Sequence, residues 1–422
     1  MRWLMSFPPR PAPRPQREYL VVSLLPENPT SAAHDSISAP GVTTRARSRR
    51  IAAASAGLPD EILVWEIFVR LGAKDIIRCG AVCRSWRSLT STADFLLGHH
   101  RRQPSRLLLT LTDSSSTESI LPILERSQPV LGFDDHGVFT LHASCDGLLL
   151  LSLYDGSFYI CNPATRQCAP VPGLTDEDIH IKAMYMHHPS GEYRVLYRNT
   201  SYTDLHLDVA YYIFTVPLGS SSRCIGVTSA SPDMKKVMIE WHEWRPDDLA
   251  PPIVLNNCLH WDPDWIQNDA GIVVFNTLVE SFRFMRRPAV ATSFCLCDIE
   301  GLMGFSCFDN GYTIAKIWVL EDYEREVWAF KYEVKFPVEI CSDNYSLHLA
   351  LTQEGYMLAY GDYELFIFHC DNTGNLLEEF HWETTDSTMI IGHWFKESLV
   401  KPDFFPKRGC THAGQPNLFH SL

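Results

Sequence analysis

The sequence predicts an α+β multidomain chain, with a short three-helix module near the N-terminus followed by a large all-β domain of propeller-like build. Three observations carry this expectation. Residues 57–89, "GLPDEILVWEIFVRLGAKDIIRCGAVCRSWRSL", have helical start and stop signals and more large apolar residues than so short a segment can hide. From Arg106 onward the texture changes to short apolar or alternating runs separated by turn residues. Within that region, turn signals recur at intervals close to the length of a four-stranded propeller blade. The resulting division is a disordered tail over 1–56, a helical module over 57–100, a β domain over 106–400 and a C-terminal tail over 401–422.

The N-terminal segment is rich in Pro, Ser and Ala, and its prolines oppose the amphipathic helix of an organelle transit peptide. Its cluster Arg45, Arg47, Arg49 and Arg50 reads either as a solvated charge run or as a nuclear address. Residues 1–105 carry 15 basic and 8 acidic side chains, whereas the remainder carries 21 and 42. The large domain is therefore poorly suited to a phosphate backbone, and no nucleic-acid partner is expected. No apolar run reaches the ~18 residues of a membrane span, so no membrane partner is expected either. The 13 cysteines are scattered without a CxxC pair, and the CxC of Cys295 and Cys297 is not by itself a zinc pattern. Reduced, mostly buried thiols are expected, with no metal and no cofactor, in the cytoplasm or the nucleus. In such a compartment the glycosylation patterns at Asn199 and Asn344 have no consequence.

Pro59 suits the first position of a helix, and Asp60 and Glu61 put negative charge at the positive end of its dipole. The helix should run from Pro59 to Arg70 or Leu71 and end at Gly72. Eight of the twelve residues Asp60–Leu71 are large and apolar, and they surround most of the helix rather than forming one stripe. A second short helix is expected from about Lys74, with Ile76 and Ile77 on its apolar side. A third, from about Gly80 to Ser88, carries Val82, Cys83, Trp86 and Leu89 at helical spacing. Burying eight large side chains would contribute roughly 12–24 kcal/mol. The missing cover must come from the following domain or from another protein. Residues 93–98 should add a fourth helix, after which His99 and His100 are better explained by compensation of the helix dipole than by a metal.

This segment resembles an F-box. Leu58-Pro59-Asp60-Glu61 match the family's opening, Ile62, Leu63, Ile67 and Leu71 its spaced aliphatics, and Val82-Cys83-Arg84-Ser85-Trp86 its Val-Cys-Arg-x-Trp close. Gly72 departs from the family, many of whose members carry Pro there. The resemblance implies three helices docking on a Skp-type adaptor, and through it on a cullin-based ubiquitin ligase. Leu58, Pro59, Ile62, Leu63, Ile67, Leu71, Val82, Cys83 and Trp86 would lie at or near that interface. An internal helical hairpin capping the β domain would need the same apolar residues but not the paired Leu-Pro and Val-Cys-Arg-x-Trp ends. A helix-turn-helix reading is weakened by Trp86 within the third helix and by the acidic charge downstream.

The runs "RLLLTL", "GVFTLHAS", "GLLLLSL", "SFYIC", "YRVLYR", "AYYIFTV", "GIVVFNT" and "IAKIWVL" are expected strands. Gly147, Gly191, Gly301 and Gly355 each punctuate a hairpin leading into an aliphatic strand, and Asn257 occupies an equivalent place; the intervals are 44, 66, 44 and 54 residues. A propeller fits this better than a two-sheet sandwich, for which about 300 residues is large. Three segments, Ser144–Gln167, Ile272–Pro288 and Ile317–Val334, are similar to the F-box-associated domains of plant proteins, with Asn162 to Arg166 as that family's Asn-Pro-x-Thr-Arg turn.

The sequence contains no GxSxG, HExxH, phosphate loop or dinucleotide fingerprint. The acidic stretch from Glu321 reads as a solvated strand face. "EWHEWRPDD" (Glu240–Asp248) and "HWDPDW" (His260–Trp265) suit either peptide recognition or core packing. The expected function is that of a non-catalytic substrate receptor, the helical module holding the adaptor and the β domain an unknown target protein. The rival readings are an F-box scaffold without a ligase role and a propeller enzyme or ligand sensor.

Overall fold

A computed structural model describes residues 59–112, 118–122, 130–132, 139–174, 179–203, 206–216, 222–225, 251–261, 271–288, 294–299, 301–309, 314–335, 347–351, 357–361, 366–371, 376–381 and 387–405. The expected N-terminal tail, its arginine cluster, Leu58 and "EWHEWRPDD" lie outside the described residues.

The first helix, α1, is continuous but uneven: Asp60–Ile62 is α-helical, Leu63–Ile67 is a π turn and Phe68–Arg70 is 3-10. Gly72 is not what stops it. Leu71 already turns extended, at φ −78 and ψ 152, while Gly72 is the extended residue preceding the next helix. The helix can end there because its last carbonyl is taken: Leu71 O accepts His99 Nε2–H at 2.8 Å and Gln103 Nε2–H at 3.2 Å. Helix α2 spans Ala73–Val82 and α3 spans Arg84–Leu89. The boundary between them is Cys83, not Gly80. Cys83 is extended, and its Sγ accepts the Trp86 N–H at 3.5 Å, so it caps α3.

Helix α4 spans Ala93–Arg102 and passes through Gly98 instead of ending there. A Cβ at Gly98 would lie 2.7 Å from Trp65 Cζ3, so glycine admits the indole of α1 against α4. His99 is accordingly inside the helix and buried. Desolvation lowers its pKa, so it is a neutral donor to α1 rather than a charge compensating the helix dipole.

The strands form five sheets among the described residues. The first joins both ends of the domain in the order β24 (Ser387–Phe395), β1 (Arg106–Thr112), β2 (Glu118–Pro122) and β3 (Leu131–Gly132). The second is the meander β4 (Phe139–Cys145), β5 (Leu148–Leu153), β6 (Phe158–Asn162) and β7 (Gln167–Pro170). The third is β8 (Ile179–His187) to β11 (Arg223–Cys224), through β9 (Glu192–Thr203) and β10 (His206–Val216). The fourth runs β12 (Ile253–Leu255), β13 (Cys258–Trp261), β14 (Ile272–Asn276) and β15 (Ser281–Met285). The fifth is of double width. One meander, β16 (Phe294–Ile299), β17 (Leu302–Phe308), β18 (Ile314–Asp322) and β19 (Val327–Lys335), meets another, β20 (Leu347–Leu351), β21 (Met357–Gly361), β22 (Phe366–Cys370) and β23 (Leu376–His381). A single parallel pairing, Ile299 with Leu351, joins the two meanders.

Where they are described, the eight expected strand runs are strands, and four of the five spaced turn residues mark one structural position. Gly147, Gly191, Asn257 and Gly301 stand between the first and second strands of successive meanders, each at positive φ. Gly355 is outside the described residues but falls between β20 and β21, which pair antiparallel. Core clusters lie on both faces of a sheet, as a propeller requires and a two-layer sandwich does not. On β5, Leu149 and Leu151 pack with Leu108 and Phe395 of the first sheet, whereas Leu148 and Leu150 pack with Val195 and Phe214 of the third. The continuous "LLLL" run follows from this: both faces of the strand are covered, so alternation with polar residues disappears. Phe404 and Phe405 join the cluster between the second and third sheets, which extends the β core into the segment assigned to the C-terminal tail. Among the described residues, no helix is long and apolar enough to cross a membrane.

Two buried histidines set an acid limit on the fold. Burial lowers the pKa of His260 to about 4 and that of His393 to about 3, the latter helped by His142. Both are neutral in the folded state and titrate near 6.5 in the unfolded chain. Their contribution is therefore complete above that value and is lost as the pH falls toward the folded values. Between about pH 6.5 and pH 5 the pair is expected to remove about 3 kcal/mol of unfolding free energy. Denaturant midpoints measured across this range check the effect, and a flat profile would contradict it.

Candidate functional site

The helical module divides its apolar residues between two sides. Val64, Phe68 and Val69 of α1, Ala73 and Ile76 of α2 and Phe95 of α4 form a buried cluster. Leu399 is part of that cluster and Ala164 packs against it, so the β domain supplies the cover on this side. On α1 and α2, Ile62 remains 43% exposed, Ile67 39%, Ile77 44% and Val82 68%. Pro59 and Cys83 are exposed as well, while Leu63, Leu71 and Trp86 are half-buried against the cluster. Trp86 meets Phe68 edge-on, with ring centroids 4.9 Å apart, and shapes the module from inside. The Val-Cys-Arg-x-Trp motif thus joins a cap, Cys83, to a packing anchor, Trp86. Ile77, which the expected set of interface residues did not include, is exposed beside the buried Ile76.

The seam to the β domain is built by the segment that leaves β24. Glu397 Oε2 accepts the Ala73 N–H at 3.0 Å, acting as a remote cap for α2, which has no side-chain cap of its own. The Glu397 carbonyl accepts from His100 Nδ1 at 2.8 Å, and its carboxylate lies 3.6 Å from Arg106 Nη1. Lys396 Nζ donates to the Arg101 carbonyl at 3.0 Å, at the negative end of α4. Asn162 is fully buried, and its Nδ2 donates to the carbonyls of Ser398 at 3.1 Å and Val400 at 3.2 Å. Its Oδ1 accepts the Thr165 N–H at 3.2 Å and closes the Asn-Pro-x-Thr-Arg turn. Gly147 completes the fit. It sits at φ +78, and a Cβ there would come within 2.5 Å of Ser398 Cβ. Residues 396–400 carry no motif, and no local signal could have assigned them to the helical module.

The turn at Asn162 recurs. Asn276 Oδ1 accepts the N–H groups of Leu278 and Val279, and Asp322 Oδ1 accepts that of Arg325. Four residues after each of these three, Arg166, Glu280 and Glu326 adopt positive φ. Each glutamate reaches the preceding sheet. Glu280 binds Arg194, Arg223 and the Tyr185 hydroxyl, and Glu326 binds Arg283 at 2.8 Å and the Arg286 N–H at 2.9 Å. Glu326 is therefore a tie between sheets and not a member of a solvated strand face. His260 and Trp261 are core residues, with His260 held between the Ile253 carbonyl and the Tyr323 hydroxyl. Residues 262–265 of the same stretch are outside the described residues. Among the described residues, no group of three or more His, Cys, Asp or Glu is placed to hold a metal.

These features define a class: a β-propeller protein with an N-terminal helical module anchored to the segment that follows its last strand. The family follows from comparison. The F-box associated beta propeller domain matches residues 106–394 and the F-box-like domain matches residues 56–97, so the chain belongs to the F-box associated beta propeller family. Its relatives in Arabidopsis thaliana include F-box protein At3g07870, 25% identical over 66% of this chain and 72% of that one. F-box protein At5g49610 is 23% identical over 64% of this chain and 77% of its own length. F-box protein CPR1 is 23% identical over 69% and 76%, respectively.

Proposed function

We propose that this protein is the substrate-recognition subunit of a Skp–cullin–F-box type E3 ubiquitin ligase. The single observation that carries the reading is the two-sidedness of α1. Its own chain covers Val64, Phe68 and Val69 but leaves Ile62 and Ile67 open. An apolar side left open on a helical module otherwise anchored to its domain is a common recognition surface for another protein. In this reading Ile62, Ile67, Val82, Pro59 and Cys83 touch the adaptor, with Leu58 beside them, while Leu63, Leu71 and Trp86 support them from beneath.

The chain has no catalytic role here. Ubiquitin transfer belongs to other subunits, and the receptor contributes proximity by holding adaptor and target on one body. The β domain, acidic in net charge, suits a target with a basic patch. Affinity purification of the full chain at low and high salt tests both halves. The adaptor and a cullin are expected to be retained at both, because their contact is apolar, and the target to be lost at high salt. Adaptor without cullin would favour a scaffold role. A target indifferent to salt would remove the charge argument.

A further inference from the structure

Two thiols of the second sheet face each other. In the β6–β7 pair, Cys161 stands directly opposite Cys168. The Val171 N–H bonds the Phe158 carbonyl at 2.8 Å, which identifies Phe158 and Val171 as a hydrogen-bonded pair. Pairs alternate along an antiparallel ladder, so Cys161 and Cys168, three steps away, form a non-hydrogen-bonded pair. Pro170 opposite Tyr159 agrees, since no N–H is required there. Such residues have Cα atoms about 4.5 Å apart with side chains on one face, within the ~4.4–6.8 Å that a disulfide spans. Neither is in a disulfide, and the Cys161 thiol hydrogen-bonds Cys168. Cys161 is fully buried between the first and second sheets, while Cys168 is only half-buried.

We propose that Cys161 and Cys168 are a redox modification site that closes to a reversible cross-strand disulfide under peroxide. The Cys168 thiolate attacks one oxygen of hydrogen peroxide. The O–O bond breaks, an S–O bond forms, and hydroxide leaves to take up a proton as water. The Cys161 sulfur then attacks the Cys168 sulfur. The S–S bond forms, the S–O bond breaks, and the departing hydroxide leaves as water with the Cys161 proton. The two sulfurs lose two electrons and the peroxide gains them. Burial pushes the Cys161 thiol well above its ordinary range, so the first attack falls to Cys168. Asn162, next to Cys161, holds the carbonyls of Ser398 and Val400, so the bridge staples the hairpin that fastens the helical module.

The experiment treats the native full-length chain with hydrogen peroxide, blocks remaining thiols by alkylation and maps the cysteines by mass spectrometry. A Cys161–Cys168 crosslink is expected, reopened by dithiothreitol and absent in Cys168→Ser. The oxidised wild type should also unfold a few degrees higher than its reduced form, a shift that Cys168→Ser lacks. Cys161→Ser, a second variant independent of the first, should instead leave a sulfenic acid at Cys168 that a dimedone-type probe traps. The exposed thiols Cys83 and Cys224 report that oxidant reached the protein. If these two are oxidised while Cys161 and Cys168 stay alkylatable, or pair with other cysteines, the proposal is overturned.

Discussion

Ile67→Asp is expected to abolish capture of a Skp-type adaptor while leaving the fold intact. Ile67 sits at the end of the π turn of α1 and is 39% exposed, so replacing it removes little from the module's own core. In a complex the same carboxylate would be driven into an apolar contact without a partner. Burying an unpaired charge costs several kcal/mol, enough to weaken binding by about a hundredfold or more. Val82→Asp, at a residue 68% exposed, should act in the same direction. Val254→Asp on β12, 70% exposed, is the control and should leave the adaptor bound. Trp86→Ala would be ambiguous, because Trp86 packs on Phe68 and its loss costs the module about 3 kcal/mol of its own stability. Binding isotherms with purified adaptor, read beside the circular dichroism of each variant, decide the matter. Equal affinity for wild type, Ile67→Asp and Val82→Asp would end the docking assignment.

The second large effect lies far away in sequence. Leu399→Asp should loosen the helical module although residue 399 follows the last strand of the β domain. Leu399 is buried among Val64, Phe68, Val69 and Phe95, and a carboxylate there loses both the apolar contact and its hydration, at about 4 kcal/mol. Asn162→Ala should move the seam the same way by about 2–4 kcal/mol, since one buried and one half-buried carbonyl lose their donor. Hydrogen exchange resolved by peptide separates this from general unfolding. Amides of α1 and α2 should exchange faster, whereas β13 and β14 should keep their protection. Unchanged exchange over residues 59–82 in Leu399→Asp would show that the module stands without the β domain.

Much of this architecture was legible because it is local. Helix starts follow from Pro59 and the acidic first turn. Strand positions follow from short apolar runs between turn residues. The spaced turns at Gly147, Gly191, Asn257 and Gly301 were readable because a repeated unit reuses the same hairpin. Helix ends were less legible. Gly72 and Gly98 looked like stops and Gly80 like a start, yet glycine serves packing at Gly98 and precedes a helix at Gly72, while the stop at Leu71 depends on donors supplied by α4 and the break at Cys83 on a thiol that caps the next helix. His99 shows the same limit. Its sequence position suggested a charge at a helix end, and only burial made it a neutral donor.

By itself, the sequence determined that this chain carries a helical module too apolar for its size and a β domain built from a repeated hairpin unit. Both are properties of residues within a few positions of one another. Only the tertiary structure decided which of those apolar residues are spent internally and which stay open, because the cover comes from Leu399 and from the turn at Asn162, and the caps come from Glu397 and Lys396. A ring that closes by pairing its last strand with its first brings such residues together regardless of their separation along the chain, and no periodicity in the sequence records that meeting.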